Sequence, residues 1–426
     1  MAAPMAAPTL RIGARRYPVV LPSPRDPRLH VALVIGALQV LGQTALGFEL
    51  SVAQILVCLG VCAAVEVGWA LWRERVVLWP ASALLTGNSV AFIMRSAGTR
   101  HGDWWTLAGI DVFVVACVIS MASKLLLRRD GRHVFNPSNL GLVAAFTLFG
   151  TGRANPQDLW WGPLSPGLWM TLAVIVGGGM VIARRLRMVG MVVAFWVAFA
   201  ACVGVVAAGG HCITARWHYG AVCGEEYWSA MAASPEVLVF AFFMITDPRT
   251  APQLRARGDG GASGAGGGRA RVVYGAAVGF LGALLAAPMQ TEFATKVAVL
   301  GALVVVCGAM PVAGVLRRVP RAAVVPAAVG ALLLAALPAR GSTVAAPPAV
   351  STTAALPPIS ISPEAARTAG VSQATARALV GAALRRAPGP VLRATVVVER
   401  NPLRPQDPPR LAVTLEGRGW TRTVVP

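Results

Sequence analysis

The chain has 426 residues, of which 56% are hydrophobic and only 13% charged. A soluble domain carries about 25% charged residues, so a water-soluble enzyme of this length is excluded for want of polar surface. Lys and Arg number 38 against 18 Asp and Glu, a formal net charge of +20. That excess fits a nucleic-acid binder or a membrane protein with basic loops, and the placement of the charge decides between them.

Residues 1–30 form a basic, Pro- and Arg-rich segment without a cleavable signal-peptide pattern. Apolar segments then recur at about 31–48, 51–72, 76–94, 106–127, 137–150, 167–183, 188–208, 235–246, 272–288, 293–312 and 322–339. Most approach the roughly 20 residues that cross about 30 Å of hydrocarbon. They predict an all-α polytopic membrane protein of about ten or eleven transmembrane helices, including a broken or half-helix segment. The segments 137–150 and 235–246 are short for a span.

The basic residues sort by connection. With the N-terminus inside, the inner connections hold Arg11, Arg15, Arg16, Arg25, Arg28, Arg73, Arg75, Lys124, Arg128, Arg129, Arg132, Arg184, Arg185 and Arg187, then Arg249, Arg255, Arg257, Arg269, Arg271, Arg317, Arg318 and Arg321. These are 22 of the 38, whereas the outer connections hold only Arg95, Arg100, Arg153, Arg216 and Lys296. The asymmetry predicts a multi-pass protein of the plasma membrane with a cytoplasmic N-terminus. No single soluble unit gathers basic and aromatic residues, so no nucleic-acid partner is expected. The bilayer itself is the first partner.

The expected transmembrane domain covers 31–339, interrupted by a Gly-rich, basic cytoplasmic linker at 252–271. Its GDGGASGAGGG run lacks the strand and helix that give a nucleotide-binding glycine motif its mechanism. Residues 340–426 carry the remaining 11 basic residues and read as an extracytoplasmic tail. A helix near 363–387 and strands at 391–400 and 411–417 make it a small α+β appendage.

Ionisable groups in hydrocarbon are costly and mark function. Glu66 falls deep in the second span and Asp111 in the fourth, without a basic neighbour one turn away. Both are candidates for an ion or proton pathway, against the alternative of a neutral carboxyl bonded to a neighbouring helix. In SALLTGNSVAF (82–92), Thr86, Gly87, Asn88 and Ser89 interrupt an apolar run. A broken helix there would expose backbone groups to a ligand, whereas small-residue packing would need no ligand. Two inner loops add polar turns, SKLLLRRDGRHVFNPSNLG (123–141) and FFMITDPRTAP (242–252). Asp130-Gly131 makes a turn, and Asn136-Pro137 starts a helix. Of seven cysteines, five lie within spans and read as small hydrophobes. Cys212 and Cys223 share an outer loop, where a disulfide or two free thiols are both open readings. The same loop carries His211, His218, Glu225 and Glu226, and a solvated loop is preferred there over a metal site.

Taken together, QILVCLGVCAAVE (54–66), SALLTG (82–87), the Lys124 region leading into FNPSNLGL (135–142) and FFMITDPRTA (242–251) carry a family resemblance. The chain resembles the NqrB/RnfD family, membrane subunits of the Na+-translocating NADH:quinone reductase and of the Rnf ferredoxin:NAD complex. FNPSNLGL is similar to that family's FNPAMxGY, and FFMITDPRTA to its FxxTDPxTA. Residues 30–315 are covered; the tail is not. Flavinylated members attach FMN to a threonine in a short SGAT-type motif of the outer loop after the FNP-led span. Here that loop reads GTGRANPQDLWWGPLSPG (150–167), and Thr151 lacks the flanking pattern. The Gly341-Ser342-Thr343 run is on the wrong segment. The Ala, Gly, Arg and Pro bias is similar to the actinobacterial UnbU-type branch encoded in enediyne biosynthesis loci.

The resemblance implies a subunit of a flavin-linked electron-transport complex coupled to ion or proton movement. It implies other subunits of a membrane redox complex, or a biosynthetic partner. A non-covalent flavin, FMN or riboflavin, would be held by Thr86, Gly87, Asn88, Lys124, His133, Asn136, Asn139, Thr246 and Asp247, with Trp104 or Trp105 stacking on it. Glu66 would couple charge movement to an ion. At most this is a subunit of a redox-driven, ion-translocating oxidoreductase, without a catalytic side chain of its own and without a resident metal. A transporter or exporter, or a non-catalytic membrane scaffold, are the alternatives on the same fold.

Overall fold

The computed structural model describes residues 8–12, 14–23, 26–158, 166–215, 221–252, 263–313, 358–363, 373, 376–377, 379–380, 391–399, 410–417 and 420–424. The predicted span 322–339, the centre of the linker, His218, Gly341-Ser342-Thr343 and most of the predicted tail helix lie outside these residues.

Each of the first ten apolar segments coincides with a helix. Helix α1 is Pro27–Thr44, and α2 is Val52–Trp69, continued by a π-helical turn over Ala70–Glu74. Helix α3 is Ala81–Ile93, α4 Ile110–Leu126 and α5 Pro137–Phe149. Then come α6 (Pro166–Arg185), α7 (Val189–Ala208), α8 (Gly224–Ala232) and α9 (Pro235–Val239). A second π turn, Phe240–Met244, extends α9. The last two are α10 (Ser263–Ala286) and α11 (Glu292–Ala313). Among the described residues, six helices are long and apolar enough to cross a bilayer, and α3 and α5 are shorter apolar helices. The chain is a helical, polytopic membrane protein.

Local sequence explains the helix starts. Asp26 caps α1, accepting the Arg28 N–H at 2.9 Å. Ser51 and Gln54 form a capping box at α2. Asn136 caps α5 with Pro137 as its first residue. Exposed tryptophans sit at both ends of the bundle. Trp72 and Trp79 flank one end, with Arg73 5.5 Å from the Trp72 ring, and Trp104, Trp105 and Trp169 flank the other. Amphipathic rings gather at this depth because they satisfy apolar and aqueous neighbours at once.

Short strands edge the bundle. Strands β1 (Thr9–Ile12) and β2 (Arg15–Val20) form an antiparallel hairpin, and β2 pairs in parallel with β3 (Val77–Leu78). This gives structure to part of the N-terminal segment that the sequence reading left featureless. Strand β4 (Met94–Ser96) pairs with β7 (Ala154–Pro156). Between them in sequence, β5 (Arg128–Arg129) and β6 (Arg132–His133) form a tight hairpin. Asp130 and Gly131 at its tip have φ of 50° and 73°, the left-handed pair that a two-residue type I′ turn requires. Strands β8 (Cys212–Thr214) and β9 (Ala221–Cys223) follow.

Two expectations are corrected. The segment 82–92 is not broken: it lies inside the continuous helix α3. The hydroxyls of Thr86 and Ser89 donate to the carbonyls of Ser82 and Leu85 at 3.0 and 2.9 Å, so the polar run is satisfied within the helix. Gly87 sits where a Cβ would overlap the Cys58 carbonyl oxygen, which brings α2 and α3 into close contact. The Gly-rich linker is shorter than 252–271, because α10 already begins at Ser263. Arg271 anchors it, donating to the carbonyls of Pro252, Leu186 and Arg187 at 2.9, 2.8 and 3.0 Å. At Gly279, α10 lies directly on the Phe195 carbonyl of α7.

A second compact unit includes 337–426. Its strands β10 (Ile359–Ile361), β11 (Val391–Glu399), β12 (Arg410–Gly417) and β13 (Trp420–Val424) form one sheet in the order β10-β11-β12-β13. The β10–β11 pair is parallel and the other pairs antiparallel. Ala376 and Val380 pack with Ala394, Val396, Val413 and Leu415 in its core. The sequence located β11 and β12 and missed the short outer strands.

Candidate functional site

The described contacts sort the loops into two ends. At one end, His30 lies 3.0 Å from Arg185, Arg132 donates to the carbonyls of Pro248 and Ala251, and Arg271 reaches the α6–α7 turn. These are the connections that the charge count assigned to the inner side. At the other end, Gln54 Nε2 donates to the Ser96 and Thr99 hydroxyls and the Ala108 carbonyl at 3.2, 2.8 and 2.7 Å. Trp104 belongs to this second end, where its carbonyl accepts from Val52 N–H.

An internal cavity of about 380 Å³ opens at the first of these ends. One stripe of α3 forms a wall: Ser82, Leu85, Thr86, Ser89, Phe92 and Ile93, spaced to fall on a single helix face. At about 1.5 Å per residue, that stripe runs roughly 16 Å along the helix axis. Val31, Ile35, Ile182 and Phe243 supply apolar surface opposite. The mouth is charged, with Asp26, Arg28, His133, Asp247 and Arg249. The Arg28 guanidinium beside Asp26 holds its carboxyl below the usual carboxylate range.

The two polar loops meet at that mouth. Asn136 Nδ2 donates to the Met244 carbonyl at 3.0 Å, while its Oδ1 accepts from the Ser138 hydroxyl and Asn139 N–H at 3.0 and 3.1 Å. His133 Nε2 lies 2.8 Å from Asp247 Oδ2. Asp247 Oδ1 accepts from Arg249 N–H at 2.9 Å, and the Thr246 hydroxyl donates to the Phe242 carbonyl at 2.5 Å. The FNP and TDP turns are thus locked into one rim.

Of the candidate cofactor residues, Thr86, His133, Asn136, Thr246 and Asp247 line the cavity. Gly87, Asn88, Lys124 and Asn139 do not. Gly87 faces α2, the Asn88 carbonyl accepts from Gln39, and Asn139 Nδ2 donates to the Leu300 carbonyl at 2.9 Å. Trp104 and Trp105 are removed from it altogether, being 43% and 71% exposed near the opposite end.

Glu66 has a cation after all, supplied by another helix. Lys124 Nζ on α4 pairs with Glu66 Oε1, and Glu66 Oε2 accepts the Ala83 N–H at 2.9 Å. The carboxylate therefore also serves the first turn of α3, where helix N–H groups lack intrahelical partners. Both side chains are largely buried, 7% exposed for Lys124 and 13% for Glu66. Asp111 is different. It lies in the first turn of α4, and its side chain is 56% exposed and 2.6 Å from Arg153. It is a surface residue at a helix start rather than a carboxylate at membrane depth, because α4 begins only at Ile110. Cys58, Cys62 and Cys117 are buried. Cys212 and Cys223 form a disulfide. His211 packs edge-on against Tyr227 at 5.1 Å, and burial lowers its pKa. Among the described residues, no group of three or more His, Cys, Asp or Glu is arranged to hold a metal.

Sequence reasoning missed an ion-pair cluster at the end opposite the cavity mouth. Lys296 Nζ lies 3.0 Å from Asp158, 3.2 Å from Glu236 and 2.5 Å from Glu292. Arg95 joins Asp158 at 3.3 Å and pairs with Glu49. Only the Glu292–Lys296 spacing of four residues was visible in the sequence.

Compared with known proteins, the chain matches no family model, and no curated protein matches it.

Proposed function

We propose that this chain is a membrane subunit of a flavin-linked electron-transport system, of the kind the NqrB/RnfD resemblance implies. On this reading it has ten or eleven spans in the plasma membrane, a cytoplasmic N-terminus and an extracytoplasmic tail. The observation that carries the reading is convergence. Three sequence-distant segments, SALLTG, FNPSNLGL and TDPRTA, contribute walls to one cavity. Nothing in helix packing alone requires the resembling segments to meet around a hollow.

The cavity fits a non-covalent FMN or riboflavin in size and chemistry. Its volume falls in the range of small-molecule sites, about 300–1,000 Å³. Thr86 and Ser89 donate to backbone carbonyls, which leaves oxygen lone pairs as acceptors for ligand hydroxyls. Apolar side chains such as Val31, Ile35, Ile182 and Phe243 line much of the remainder. When bound, a flavin would supply the redox chemistry, while the protein orients it and sets its surroundings. Glu66 and Lys124 lie in this half of the bundle on α2 and α4 and would respond to charge changes there. Partners would be further subunits of a redox complex or, in the enediyne-locus branch, a biosynthetic enzyme.

The test is pigment. Chain purified in mild detergent is expected to absorb near 450 nm (roughly the free-flavin band) and to release flavin on acid denaturation without proteolysis. A colourless preparation that fails to bind added FMN or riboflavin overturns the reading. The charged mouth and apolar interior also favour a second reading, a carrier of an amphipathic metabolite. Its signature is substrate uptake into vesicles that is lost in Glu66→Gln and unaccompanied by flavin.

A further inference from the structure

Beside the cavity lies a second hollow of about 300 Å³, lined by Arg129, Asp130, Arg132, His133, Arg249 and Thr250 among others. His133 and Arg249 line both spaces, so the two compartments adjoin. Their chemistry is opposite. The first is a slot whose far end is Phe92 and Ile93, whereas the second holds three guanidinium groups against one carboxylate, Asp130. Asp130 lies 3.8 Å from Arg129, Asp247 is engaged by His133, and Asp26 at the cavity mouth pairs with Arg28.

We infer that the ligand of this cavity is an amphiphile whose head is a phosphate group, held at Arg129, Arg132 and Arg249 while its less polar body lies along α3. The inference rests on the cavity being the ligand site, and it adds the charge and length of the molecule. Arg132 is already fixed by its bonds to the carbonyls of Pro248 and Ala251 at 2.9 and 3.2 Å. A pre-positioned planar guanidinium suits phosphate, whose oxygens accept paired N–H bonds. Arg129 and Arg249 are exposed on the β5–β6 hairpin and the TDP turn. The His133–Asp247 contact and the Arg132 bonds hold these two turns together, so the cation surplus is built into the docked loops.

Two sources share this chemistry, the phosphate of a soluble cofactor such as FMN and the phosphate of a membrane lipid. Full-length protein in detergent would be titrated with FMN against riboflavin by fluorescence quenching. In parallel it would be titrated with dioleoyl phosphatidic acid against dioleoylglycerol by native mass spectrometry. The variant is Arg129→Gln with Arg249→Gln, which leaves the Arg132 backbone bonds intact. In one of the two arms the phosphate compound is expected to bind at least about tenfold tighter than its neutral counterpart, equivalent to about 1.4 kcal/mol. The variant should lose most of that preference while keeping the wild-type melting temperature. Equal binding of phosphate and neutral compounds, a preference that survives the variant, or no binding in either arm overturns the inference. If riboflavin and FMN bind equally and phosphatidic acid shows no preference over dioleoylglycerol, the flavin reading stands and the phosphate inference falls. If only phosphatidic acid binds, and does so through these arginines, the inference stands and the flavin reading falls.

Discussion

Glu66 illustrates what a buried charge requires. Its carboxylate has two partners, an ammonium on α4 and a backbone N–H on α3, and removing either ion strands the other in an apolar setting. Glu66→Gln or Lys124→Met alone should therefore cost about 3–5 kcal/mol, whereas replacing both with apolar residues should recover most of it. Thermal unfolding in detergent measures this, and additive losses in Glu66→Leu with Lys124→Met would refute the coupling. The sequence reading recognised Glu66 as costly but saw no cation, because Lys124 is 58 residues away and local spacing cannot report a helix–helix contact. The Lys296 cluster was hidden for the same reason: one of its partners, Asp158, is 138 residues distant. Asp111 erred the other way. A run of apolar residues around it suggested depth, yet its helix starts one residue earlier and its side chain faces Arg153.

Helix existence was legible because apolar runs of this length have few alternatives. Helix integrity was not. Thr86, Gly87, Asn88 and Ser89 look like an interruption, but their hydroxyls bond back one turn and Gly87 allows α2 to approach. Gly87→Ala should thus destabilise by about 1–3 kcal/mol through overpacking against the Cys58 carbonyl. Gly60→Ala on the neighbouring α2 is the control, since a Cβ there meets nothing within 4 Å. Equal melting temperatures for the two variants would sink the close-contact account. The rim was partly legible as well. Asp130-Gly131 was read as a turn, and the structure gives it the paired positive φ values of 50° and 73°. That this hairpin docks on the TDP turn through Arg132 and His133 could not be read from either motif alone.

Among the described residues, several basic connections that the sequence assigned to one side contact one another at one end of the bundle. The expected orientation makes that end cytoplasmic. A membrane-impermeant thiol reagent should then label Arg129→Cys only from the cytoplasmic side and Trp105→Cys only from the opposite side. Labelling of both from one side would overturn the arrangement. Cys212 and Cys223 should react only after reduction, because they are bonded to each other.

Helices α3 and α5 have 13 residues each, about 20 Å of helix at roughly 1.5 Å per residue, whereas the hydrocarbon layer is about 30 Å thick. Asn136 precedes α5, and Arg95 follows α3 by two residues. On the proposed membrane reading, an apolar path along this pair would be about two thirds of the usual depth, so a transmembrane voltage would fall over a shorter distance and the local field would be about half again as steep. An electron or cation displaced beside α3 would do more electrical work per ångström there than elsewhere in the bundle.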